Sequence, residues 1–240
     1  MAKRPIPIPN QHGAWSMLVV PFVFGMAAAG PQWVHAPLFA AWLAAYFFSY
    51  AFLQWIRTRN SDMYVRPAIL YAIALACFGG AAAFAAPRLL LYAPLFLPML
   101  LVNMYYASRN RERALMNDFA AVIQFSLIVF VAYAAGGGRD PWFAAELFAL
   151  SVLYYAGTVF YVKTMIREKR NRRFYFLSVG YHMALLAVSA ALFPPLMLAP
   201  FAVLLVRAAW TPRANLSIKQ AGMLEFAYSA MMVIAFLMAY

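Results

Sequence analysis

"PWFAAELFALSVLYYAGTVFYVKTMIREKRNRR", residues 141–173, carries only one charged side chain, Glu146, before Lys163, and then delivers Arg167, Lys169, Arg170, Arg172 and Arg173 within a few positions. A helix rises about 1.5 Å per residue and the hydrocarbon core of a bilayer is about 30 Å thick, so about 20 apolar residues make one crossing. Residues 141 to 165 therefore read as a transmembrane helix that ends in a basic loop. The same pattern, an apolar run followed by arginine, repeats along the chain. Nine spans are expected, near residues 14–30, 36–56, 67–86, 88–107, 117–135, 141–165, 174–192, 194–210 and 222–240. Pro31, Pro37, Pro67, Pro87, Gly136 to Gly138, Pro141, Pro194 and Pro195 punctuate the joins, where a helix lacks a donor or needs a tight turn.

Composition agrees. Of 240 residues, 66% are hydrophobic and 11% charged, against about 45–50% and about 25% in soluble domains. The reading is an all-α, polytopic membrane helix bundle forming a single transmembrane domain over residues 1–240. The first run follows Lys3 and Arg4 without a small-residue cleavage site and reads as a retained span. Cys77 is the lone cysteine, so no disulfide frame is expected. The net charge of +12 would suit nucleic acid, but its placement argues otherwise. Seventeen of the 19 Lys and Arg fall on one side of the expected spans, Arg88 and Arg139 being the exceptions. The positive-inside rule then places the N-terminus in the cytoplasm and the C-terminus outside, as a multi-pass protein of the bacterial inner membrane. Its basic loops face anionic headgroups, and nucleic acid is not an expected partner.

Polar side chains at membrane depth are costly and normally face a bundle interior. Here they collect at the basic end. Asn10, Gln11 and His12 enter span one; Gln54, Arg57 and Asp62 leave span two; Asn103, Tyr106 and Arg109 leave span four; Asn117, Asp118 and Gln124 enter span five. Span six closes with Thr158, Tyr161, Lys163, Thr164, Arg167 and Glu168, and Tyr161, Thr164 and Glu168 share a helix face. The expectation is a cavity at this end, walled by spans one, two, four, five and six, with guanidinium groups suited to an anionic headgroup. Substrate contacts are assigned to Asn10, Gln11, Gln54, Arg57, Asn103, Tyr106, Arg109, Asn117, Asp118, Tyr161, Lys163, Thr164 and Arg167, and any proton transfer to His12 or Glu168.

Plainer roles stand beside these. Arg170, Arg172 and Arg173 serve as topology determinants, Lys163 and Arg207 can snorkel, and Trp15, Trp55 and Trp210 suit an interfacial belt. His182 suits an interhelical hydrogen bond, and His35 reads as external. Three scattered histidines and one cysteine give no zinc, haem or iron–sulfur pattern, and no metal ligands are assigned.

"PNQHGAWSMLVVPFVFG" (9–25), "LQWIRTRN" (53–60) with "RPA" (66–68), and "GTVFYVKTMIREK" (157–169) resemble the YwiC-like family of bacterial membrane proteins over almost the whole chain. More distantly, "MYYASRNRERALMNDFAAVIQFS" (104–126) is similar to the span-four to span-five hairpin of the UbiA prenyltransferase superfamily. That second resemblance implies nine helices, an internal N-terminus, an isoprenoid substrate and magnesium held by two Asp-rich motifs. The positions corresponding to those motifs read Gln54, Thr58 and Asp62, then Thr164 and Glu168, one acid in each. Magnesium prefers carboxylate oxygens, so no cofactor is assigned. The expected function is binding of an isoprenoid or other polar-headed lipid, with its chemical modification as an extension of that role; the alternatives are a small-anion transporter and an accessory subunit of a membrane complex.

Overall fold

The computed structural model describes residues 12–214 and 216–240, less the side chains of His12, Ile218 and Lys219. Among the described residues the chain folds into nine helical segments and no strand. They are α1 (His12–Ala29), α2 (His35–Thr58), α3 (Ser61–Ala85), α4 (Pro87–Ser108), α5 (Leu115–Ala135), α6 (Pro141–Ile166), α7 (Arg172–Leu192), α8 (Pro195–Arg213) and α9 (Ile218–Ala239). Eight are long and apolar enough to cross a membrane, and α1 is a shorter apolar helix. The chain is a polytopic all-α membrane bundle, as its hydropathy requires, because in lipid every backbone donor and acceptor must be paired within the segment.

The helix starts are set by side-chain caps. Asn60 accepts from the Met63 amide, Asp140 from Trp142 and Phe143, and Asn171 from Arg173 and Phe174. Ser217 and Gln220 form a capping box at the start of α9. The Asn60 cap explains one departure from expectation. Span three begins at Ser61, and Pro67 sits inside it instead of at its start. An early proline removes one intrahelical donor without ending a helix already capped upstream. Proline does decide the entry to α4, where the Pro87–Phe96 stretch, with Pro94 in it, is wound as a 3-10 helix before Leu97–Ser108 turns α-helical.

Two cores share the helices α1 and α5. One joins them to α6, α7, α8 and α9 through Val20, Phe24, Val129, Leu147, Phe201 and Phe236. The other joins them to α2, α3 and α4 through Leu18, Phe22, Trp42, Ala82, Leu89 and Ile128. Leu18 and Phe22 lie four residues apart on one side of α1, Val20 and Phe24 on the other, so this helix is buried on two faces. Its approach to α5 is close. A Cβ built on Gly25 would lie 2.4 Å from the Val129 carbonyl oxygen and 2.9 Å from the Ala132 Cβ. Small residues at such crossings let backbones touch, which supplies the packing that the hydrophobic effect cannot provide within lipid.

At the end opposite the basic loops, two cationic or ring side chains finish α5. His35 lies at this end and is buried there, its Nε2 2.9 Å from the Ala132 carbonyl oxygen. Arg88 donates to the Ala134 carbonyl at 2.8 Å. Both meet carbonyls of the last turn that also accept from the Gly136 and Gly137 amides, at the helix end where the dipole favours positive charge.

We expect Gly25→Ala to destabilise the bundle by about 1–3 kcal/mol through overpacking against α5. Gly80→Ala, where a Cβ meets nothing within 4 Å, leaves stability close to wild type. Thermal unfolding of the detergent-solubilised variants distinguishes the two.

Candidate functional site

The candidate ligand site is an elongated cavity of about 550 Å³ between α2, α3, α4 and α5, with Ala14 of α1 at its edge. Helical spacing builds it. Leu38, Ala41, Trp42, Ala45, Ser49 and Leu53 repeat at three and four residues and form one stripe of α2. Leu89 to Asn103 line it from α4, and Asn117 to Val131 from α5. On α3 only Leu75, Gly79, Ala82 and Ala83 take part, so the basic half of the cavity has no α3 wall.

The lining changes along its length. The end formed by Leu38, Ala82, Leu89 and Val131 is apolar, and aromatic rings of Trp42, Phe96 and Phe125 flank the middle. The basic end gathers Gln54, Asn103, Asn117, Gln124 and Glu112. Asn103 Nδ2 donates to Gln124 Oε1 at 2.6 Å and to the Met99 carbonyl at 2.9 Å, and Asn117 Nδ2 donates to the Glu112 carbonyl at 2.8 Å. Three buried acceptor-capable atoms here have no protein partner: Gln54 Oε1, Asn117 Oδ1 and the Tyr46 hydroxyl. Buried polar atoms are normally paired, and leaving one unsatisfied costs about 1–3 kcal/mol. Three of them along one cavity mark a place for a ligand or for water.

The expected site residues separate into groups. Gln54, Asn103 and Asn117 meet in this cavity, and Arg57 stands beside it, paired with Glu112 at 2.7 Å. Asp118, Lys163 and Arg167 instead form a staple between α5 and the end of α6. Lys163 Nζ lies 2.8 Å from Asp118 and donates to the Arg113 carbonyl at 2.9 Å, and Arg167 reaches the same two partners at 4.0 and 3.2 Å. Thr164 donates to the Phe160 carbonyl of its own helix, and Glu168 accepts from Asn171 in the loop. Arg109 lies exposed over the Tyr105 ring, against whose edge Tyr106 packs. Asn10, Gln11 and the His12 side chain lie outside the described residues.

Tyr161 belongs to a second polar centre, in α6 to α9. Arg207, fully buried, donates to both oxygens of Glu225 at 2.9 and 3.0 Å and lies over the rings of Tyr161 and Tyr228 at 4.2 and 5.0 Å. Its second amino group is 3.4 Å from His182 Nε2, whose ring is held by the Ser178 carbonyl at 2.7 Å. Arg207 therefore does not snorkel. The clue available in sequence was the pair of opposite charges on successive spans, since an isolated charge at that depth has no other partner.

Gln54, Thr58, Asp62, Thr164 and Glu168 do not come together in one cluster. Thr58 Oγ1 donates to the Gln54 carbonyl, Thr164 and Glu168 are held as above, and Asp62 is exposed. No group of three His, Cys, Asp or Glu suited to a metal occurs among the described residues.

The YwiC-like protein family matches residues 8–133, more than half of the chain. The chain belongs to the YwiC-like family. The matched stretch contains every residue that lines the cavity. "Uncharacterized protein YwiC" of Bacillus subtilis (strain 168) is 39% identical over 183 residues, covering 76% of this chain and 77% of its own length. An "Uncharacterized protein" of Haemophilus influenzae is 33% identical over 237 residues, covering 97% and 98%. No solved structure matches the chain.

Glu225→Ala leaves a buried guanidinium unpaired and is expected to cost about 3–5 kcal/mol. Replacing both partners, Arg207→Met with Glu225→Met, recovers most of that loss, because two apolar side chains of similar volume carry no desolvation penalty. Thermal unfolding of the single and double variants measures both effects.

Proposed function

We propose that this YwiC-like protein sits in the bacterial inner membrane with its basic loops and N-terminus in the cytoplasm, and that its α2–α5 cavity binds an isoprenoid or other polar-headed lipid. The observation that carries the reading is the gradient inside the cavity: apolar walls from Leu38 to the aromatic girdle, then a cap of amides with unpartnered acceptors at Gln54 and Asn117. Such a pocket matches an amphiphile, whose chain gains from leaving water and whose head needs hydrogen bonds. The volume lies within the range of about 300–1,000 Å³ that small-molecule sites occupy. Absence of an α3 wall in the basic half gives the guest a lateral way in from the bilayer.

A UbiA-like isoprenoid role is the finer form of this proposal. Nine helical segments among the described residues, eight of them long enough to cross a membrane, and a cavity with its amides at the basic end support it, whereas the Thr58, Asp62, Thr164 and Glu168 positions lack the oxygen shell for a metal-held diphosphate. The proposal therefore assigns no chemistry to magnesium. It assigns binding to Gln54, Asn103, Asn117 and Gln124, with the Arg57–Glu112 pair at the cavity mouth.

Purification in mild detergent followed by lipid extraction and mass spectrometry tests it. Wild-type protein is expected to carry a defined lipid near one per chain. Ala121→Trp, which fills the cavity between Asn117 and Gln124, loses it while unfolding at an unchanged temperature. Equal lipid content in the two proteins, or none in wild type, overturns the reading.

A further inference from the structure

We infer that the guest is a long-chain lipid whose head is a neutral hydroxyl, an alcohol or phenol, and not a phosphate ester; this rests on the lipid-binding reading above.

Length argues for a long chain. From Leu38 to Gln54 the cavity follows α2 for 16 residues, about 24 Å at the helical rise. That is room for an extended hydrocarbon tail along most of one leaflet-to-leaflet crossing. The stretches of α4 from Leu89 to Asn103 and of α5 from Asn117 to Val131 run alongside it for similar lengths.

Charge argues for a neutral head. Among the described lining residues there is no Lys or Arg, and Glu112 is the charged one. The nearest guanidinium, on Arg57, is already held by that carboxylate at 2.7 Å. Lys163 and Arg167, the cations best placed in sequence to take a phosphate, turn to Asp118 and the Arg113 carbonyl and do not line the cavity. An anionic head would meet a carboxylate and amide oxygens without a cation of its own, a desolvated charge left unpaired.

Hydrogen-bond polarity argues for a donor. Asn117 donates to the Glu112 carbonyl, which fixes its amide orientation and points Oδ1 away as an acceptor. That oxygen and Gln54 Oε1 are both buried without a donor. A hydroxyl supplies one. Gln124, whose oxygen is taken by Asn103, has its amide nitrogen left to donate back to the hydroxyl oxygen. The Tyr46 hydroxyl, also without a partner, lies two turns of α2 deeper and can serve a second oxygen on a phenolic ring.

Three probes with one prenyl chain separate the possibilities: the free alcohol, its methyl ether, and its monophosphate, each titrated into delipidated full-length protein and followed by native mass spectrometry. The alcohol is expected to bind at least about tenfold tighter than either of the others, a difference of about 1.4 kcal/mol. Gln54→Leu brings alcohol and ether to within about twofold of each other, and Tyr46→Phe, a smaller change, leaves the preference over phosphate intact. Binding of the phosphate as tight as the alcohol, or of the ether as tight as the alcohol, overturns the inference while leaving the lipid site standing. Failure of all three probes, with no lipid co-purifying from cells, overturns both.

Discussion

The crossing of α1 and α5 at Gly25 is the contact on which the bundle depends. Inside a bilayer, apolar surface gains nothing by leaving lipid for protein, so helices must associate through close packing and a few hydrogen bonds. Gly25 brings the two backbones together at the Val129 carbonyl, and both helices then serve as walls for two separate cores. Trp42 adds a hydrogen bond from its indole to the Leu18 carbonyl at 3.0 Å, tying α2 to α1 just before Pro21 interrupts the α1 ladder.

The shared wall divides the labour of the polar residues. On the α6–α9 side, Arg207 and Glu225 satisfy each other and the aromatic rings enclose them, so charge is buried in pairs. On the α2–α5 side, the polar atoms are mostly amides. Buried atoms without partners occur on both sides, at Tyr155, Thr158, Ser178 and Arg207 Nε on the first and at Tyr46, Gln54 and Asn117 on the second, where they line a cavity. The first arrangement ties helices together through its ion pair; the second has capacity for a guest. The match of residues 8–133 to the YwiC-like family covers the open half and ends before the closed one.

Cations are numerous at the basic end, yet the structure directs most of them away from the cavity. Arg57 takes Glu112, Lys163 and Arg167 take Asp118, and Arg109 lies over Tyr105 in an exposed position. Of the few carboxylates, Glu112, Asp118 and Glu225 are each placed beside a base, since an unpaired charge near the membrane is the costlier arrangement. What remains inside the cavity is neutral hydrogen-bonding capacity.

Nine apolar stretches, their joins and the one-sided placement of arginine were legible in the sequence, because crossing a bilayer imposes a length and a polarity on every segment independently of its neighbours. So was the gathering of Gln54, Asn103 and Asn117 at one end, since each falls at the same depth of its own helix. Which way each side chain turns around its helix was not. Lys163 and Thr164 are adjacent in sequence and both polar, yet one reaches across to α5 and the other folds back on its own backbone. Arg207 suited a snorkelling position as well as a buried one, and the outer-end His35 had no visible partner, until neighbouring helices supplied Glu225 and the Ala132 carbonyl. Depth is a property of a single helix, but facing and pairing are properties of its neighbours, and only the packed bundle decides them.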